Sequence, residues 1–139
     1  MVFANWGQGI SSWLGPDTSN QIFRRRQVFA STAPCLLSGT TRQVLREYLA
    51  AMTRPQTWES LTEAMADVTA FADRFGMLED GSAVWNQLFQ LSRHYAFAGR
   101  QVHDANMVAT TIAHGEHRLL TFNTGEFQRF AAVVELITL

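Results

Sequence analysis

At 139 residues, 47% of them hydrophobic and only 17% charged, the chain is long enough to bury a core and too apolar for disorder, so one domain is expected over residues 1–139. A net charge of −1 excludes a general electrostatic hold on nucleic acid, and a polyanion would have to bind at a local patch or through a metal. The single cysteine, Cys35 in "APCLL", excludes an internal disulfide and reads as a buried small hydrophobe in a reducing cytoplasm.

The first 16 residues are atypical. "MVFANWGQGISSWLG" carries neither a basic leader nor a continuous apolar run of signal-peptide length. No segment approaches the roughly 20 apolar residues that span a bilayer, so no membrane contact is expected and the cytoplasm is the expected compartment. "NWGQG" holds a Gly-x-Gly without the Lys and Ser/Thr of a phosphate loop.

A helix is expected from about Ser19 through "RRR" at 24–26, and "APCLLS" has the length and apolarity of a buried strand. "TTRQVLREYLAAM" reads as a helix capped by Thr40 or Thr41, with Val44, Leu45, Tyr48, Leu49 and Met52 inward and Pro55 as its stop. "SLTEAMADVTAFADRFG" opens with a capping-box pattern, Ser60 to Glu63. It carries Leu61, Met65, Val68, Ala72 and Phe75 at helical spacing before Gly76 closes it. "GSAVWNQLFQLSRHYAF" repeats the pattern with Val84, Leu88, Leu91 and Tyr95, while Trp6, Trp13, Trp58 and Trp85 read as core or interface residues. "GRQVHDANMVATTIAHG" is a further helix, with Ala105, Val108, Ala109 and Ile112 inward and Gly115 after its end. "HRLLTFN" and "VVELITL" read as strands separated by a polar turn, "TGEFQRF". Strands apolar on both faces and separated by helices predict an α/β fold, a three-layer α/β/α sandwich with a mainly parallel sheet.

In such a sheet ligands bind at the carboxyl ends of the strands. Asn123 and Glu126 follow directly from "RLLTF", and Asp104 stands at the mouth of the helix leading into that strand. Glu47 lies on the flank of the apolar stripe of its own helix. Converging side-chain oxygens of this kind suit a hard cation such as Mg²⁺ or Mn²⁺, with Asp104, Glu47 and Asn123 as its ligands. Zinc is disfavoured because Cys35 is alone, and His114 and His117 straddle Gly115. The plainer reading is that Asp104 caps its helix and Glu47 is solvated.

"VLREYLAAMTRP", "GRQVHDANMVATTIAHG" and "RLLTFNTGEF", in this order and spacing, resemble the PIN-domain ribonucleases, particularly the VapC-type toxins of bacterial toxin–antitoxin pairs, over roughly residues 17 to 139. The resemblance implies a parallel-sheet sandwich whose acids bind Mg²⁺ or Mn²⁺ and cut RNA. By position, Glu47 corresponds to the family's second acid and Asp104 to its third. Asn123 falls where the family has Asp or Asn after the strand's Thr, and Glu126 where it usually has Asp before Phe127. The departure is at the front: in "VFAN", Phe3 takes the place of the first acid and only Asn5 remains, while Asp17 aligns with the loop after the first strand. The resemblance therefore implies a toxin endoribonuclease using Glu47, Asp104, Asn123 and Glu126, or a catalytically impaired relative that binds antitoxin or RNA. It further implies an antitoxin partner and a homodimer, with the helices between residues 60 and 97 as candidate surfaces.

Overall fold

The structure is a computed structural model that describes residues 2–3, 39–54 and 60–138. The helix expected near Ser19, the strand expected at "APCLLS", Cys35, Pro55, and Trp6, Trp13 and Trp58 lie outside these residues.

The chain forms β1 (Val2–Phe3), β2 (Gly39–Thr40), α1 (Arg42–Met52), α2 (Leu61–Arg74), β3 (Gly76–Met77), α3 (Ser82–His94), α4 (Gln101–Ala113), β4 (Arg118–Leu120), α5 (Thr124–Phe127), a 3₁₀ turn (Gln128–Phe130) and β5 (Glu135–Ile137). Among the described residues the strands make one five-stranded sheet in the order β3-β2-β1-β4-β5. Every pairing is parallel, with Val2 opposite both Gly39 and Leu119, and Phe3 opposite Leu120. The chain steps outward from β1 through β2 to β3 and then returns to the other side of β1. That reversal puts the topological switch point between the carboxyl ends of β1 and β4.

Local chemistry explains the helices that frame this edge. Thr41 caps α1, its Oγ1 accepting the Val44 N–H at 3.3 Å, and Val44, Leu45, Tyr48, Ala51 and Met52 are buried. Ser60 and Glu63 close a reciprocal capping box on α2, with N–H to oxygen distances of 3.2 and 3.0 Å. α1 packs on α2, and α3 on α4. Gly115 follows α4 at φ 75°, the left-handed conformation that glycine adopts at least cost. No helix among the described residues is long and apolar enough to cross a membrane.

Three expectations are corrected and a fourth is narrowed. The inward face of α2 is centred on Ala64 with Val68 and Phe71 half-buried, whereas Leu61 is 63% and Met65 44% exposed, because the helix turns its stripe about one position from the expected one. Gly76 does not terminate α2; Phe75 caps it in extended backbone and Gly76 opens β3, a strand too short to announce itself by periodicity. "TGEFQRF" is helical, not a polar turn, since Phe127 and Phe130 stand one turn apart and are both fully buried. Of the two roles read for Trp85, core and interface, its 68% exposure excludes the first.

Candidate functional site

α4 begins at Gln101, so Asp104 stands at the end of its first turn and not at the cap. Arg100 occupies the cap position without a side-chain bond to the helix. The capping account of Asp104 therefore fails on geometry. Asp104 is instead only 8% exposed, on a helix whose buried residues continue through Ala105, Met107, Val108 and Ala109. His103, beside it, points to solvent.

The Asp104 carboxyl is pushed up from its ordinary 3.8 to about 7, first by burial, then by the carboxylates of Glu126 and Glu47, with Arg129 and Arg100 acting weakly in the opposite sense. The fold thus brings Glu47, Asp104 and Glu126, from three separate helices, within electrostatic reach of one another. Glu47 is half-buried on α1 and its Oε1 accepts a hydrogen bond from Gln43 Nε2 at 3.1 Å. Glu126 is half-buried in the first turn of α5 and acts on Asp104 more strongly than Glu47 does. Asn123 leads into the same short helix, directly after β4, where its backbone N–H donates to Thr121 Oγ1 at 3.0 Å. Its Oδ1 lies 3.5 Å from where a Cβ on Gly125 would stand, and it makes no capping bond. The Asn123 backbone bond is made within its own loop, whereas Glu126 and Glu47 both act on Asp104.

Among the described residues no three His, Cys, Asp or Glu side chains are gathered closely enough to enclose a metal ion by themselves. Mg²⁺ does not ask for that: it keeps several waters and is held through one or two carboxylates. A buried carboxylate whose charge is opposed by two others is also the setting that a cation relieves. The donor set is all oxygen and fits Mg²⁺ or Mn²⁺ in chemistry.

Arg129 was not singled out by the sequence. Its Nη1 donates to the Ala96 carbonyl and to Gln101 Oε1, each at 2.9 Å, and this tether keeps a positive charge beside Asp104. Its one available signal was the spacing of three residues from Glu126 within a helical segment.

No protein-family model matches the chain, and no curated protein matches it in sequence. Two solved structures match it in shape over nearly its whole length. VapBC-1 from nontypeable Haemophilus influenzae is similar at a TM-score of 0.62 and 13% identity, over 99% of this chain and 95% of that one. VapBC2 from Rickettsia felis, bound to a DNA fragment from their promoter, is similar at a TM-score of 0.57 and 15% identity, over 100% and 99%. The chain shares its fold with these VapBC structures. At these identities the fold is what is shared. In this fold the acids gather at the carboxyl edge of the sheet, beside the switch point between β1 and β4.

Proposed function

We propose that the chain is a VapC-type toxin, an endoribonuclease that uses Mg²⁺ or Mn²⁺ at the carboxylates of Glu47, Asp104 and Glu126 and is held inactive by an antitoxin protein. One observation carries the reading: a nearly buried Asp104 whose charge is opposed by Glu126 and Glu47. A buried carboxylate opposed by two others costs stability, and such strongly perturbed acids cluster at functional sites, which supports a site kept for chemistry. A three-layer arrangement of helices about the sheet, a homodimer and a place in the cytoplasm belong to the same reading.

Asp104 and Glu47 would hold the ion, while Glu126 and Asn123 would orient the attacking water, Asn123 as a hydrogen-bonding partner and Glu126 as the acceptor of its proton. When bound, the ion supplies positive charge for the non-bridging phosphate oxygens and makes a water acidic enough to react near neutral pH. Arg129 favours the charged form of Asp104. Asp104→Asn is expected to lower Mg²⁺-dependent cleavage of RNA by at least about 100-fold, with the circular-dichroism spectrum unchanged. Full activity in that variant would remove Asp104 from the site.

A second reading is favoured by β1. This central strand ends at Phe3, where the resemblance places the family's first acid, so the described strand contributes no carboxylate to the switch point. On that reading the protein binds antitoxin or RNA without cutting. Cleavage that requires Mg²⁺ or Mn²⁺ and stops with EDTA excludes it.

A further inference from the structure

Along the same edge of the sheet, a cavity of about 230 Å³ opens where the segments after β2 and β3 meet α4. Gln43 and Arg46 of α1, Leu78 and Asp80 of the loop after β3, and Asn106 and Met107 of α4 form its walls. Leu78 lies against β2 because Gly39 has no side chain: a Cβ there would come within 2.7 Å of Leu78 Cγ. Asn106 Nδ2 donates to Asp80 Oδ2 at 3.1 Å, which fixes an amide and a carboxylate side by side at the rim. Arg46 is exposed and, among the described residues, forms no ion pair, whereas Arg42 is engaged with Glu79. Two of its wall residues lead towards the acids. Gln43, in its wall, donates to Glu47, and Met107 lies one turn along α4 from Asp104.

We infer that this cavity is a nucleotide subsite, which takes the base next to the scissile phosphate against Leu78 and Met107, reads its polar edge with Asp80 and Asn106, and pairs the adjoining phosphate with Arg46. The inference rests on RNA being the substrate. A carboxylate only accepts hydrogen bonds when ionised, so it selects the base that offers adjacent donors. Guanine, with N1–H and N2–H₂ side by side, fits it bidentately; uracil offers a single N–H between two carbonyls. Asn106, whose amide also carries an acceptor, completes the edge, and the guanidinium gives the phosphate a partner of matching geometry.

The test is equilibrium binding of labelled octaribonucleotides to the full chain, with Ca²⁺ replacing Mg²⁺. The oligonucleotides are uridine throughout except for A, C, G or U at one central position. The guanine oligonucleotide is expected to bind about tenfold more tightly than the all-uridine one, the size of one good polar pair. Asp80→Ala and Asn106→Ala should erase that difference, and Arg46→Gln should weaken all four by a similar factor. Equal affinities in the unmodified protein, or discrimination that survives both alanine variants, would overturn the subsite. Cleavage of the same oligonucleotides in Mg²⁺ or Mn²⁺ separates the two claims. Discrimination without cleavage upholds the subsite in a non-cutting binder, and cleavage without discrimination upholds the nuclease and removes the subsite.

Discussion

Asp104 is central to the proposed chemistry at the residue scale. Its native carboxyl titrates near 7 and its ordinary value is 3.8, so between these pH values the folded protein holds a proton that the unfolded chain releases. The contribution of Asp104 to the stability of the metal-free protein is therefore expected to be full below about pH 4 and to be lost as pH rises through about 7, the reverse of a salt-bridged aspartate. Urea denaturation in EDTA at pH 5 and pH 8 reads this directly, with the lower midpoint expected at pH 8. The same logic makes Asp104→Asn, the variant that should stop cleavage, more stable than the parent at pH 8. Asp104 and Glu126 were readable as candidates because a parallel sheet sends its strand ends and helix starts to one edge, whereas Glu47, in the middle of α1, was singled out through the resemblance. Arg129 was not legible. Its place depends on a tether to Ala96 and Gln101, about 30 residues earlier in the chain, which no spacing reveals.

Each element owes its form to a few side chains, and the capped helices are the ones the sequence displayed best. Ser60→Ala should cost about 1 kcal/mol in chemical denaturation, since it removes the acceptor for the Glu63 N–H and the partner of the Glu63 carboxylate. The segment after β4 gave the opposite lesson. Its polar residues suggested a turn, but Phe127 and Phe130 are fully buried, and they fold it into helical turns that place Glu126 opposite Asp104. Phe127→Ala should destabilise the fold by about 3–5 kcal/mol, as a large aromatic lost from a packed core does. It should also weaken metal binding, because α5 carries both Glu126 and Asn123; a stable variant with unaltered metal affinity would show that α5 does not position the site. The short strands β2 and β3 were hidden for a simple reason. Two residues cannot show a period of two, and Gly39 and Gly76 carry no side chain to show it with.

For the whole molecule, the parallel order β3-β2-β1-β4-β5 makes one edge chemical and leaves the helices to meet partners. α2 exposes Leu61 and Met65, and α3 exposes Trp85 and Phe89, the latter 53% accessible with the Arg93 guanidinium 4.8 Å from its ring centre. Apolar side chains of this size in solvent are the kind that protein interfaces cover. If they serve the proposed homodimer or antitoxin, Trp85→Ser together with Phe89→Ser should shift the sedimentation profile to the monomer or abolish antitoxin binding, with RNA cleavage by the isolated chain retained. The resemblance offered the helices between residues 60 and 97 as candidate surfaces, and the exposed side chains on α2 and α3 lie within that span. The central claim is that Asp104 and Glu47 hold one divalent cation, with Glu126 beside them acting on it through water. Calorimetric titration of Mn²⁺ into the full chain tests it most directly: the account predicts a single saturable site that disappears in Asp104→Asn and weakens in Glu126→Gln, whereas no binding by the unmodified protein, or undiminished binding by both variants, would contradict it.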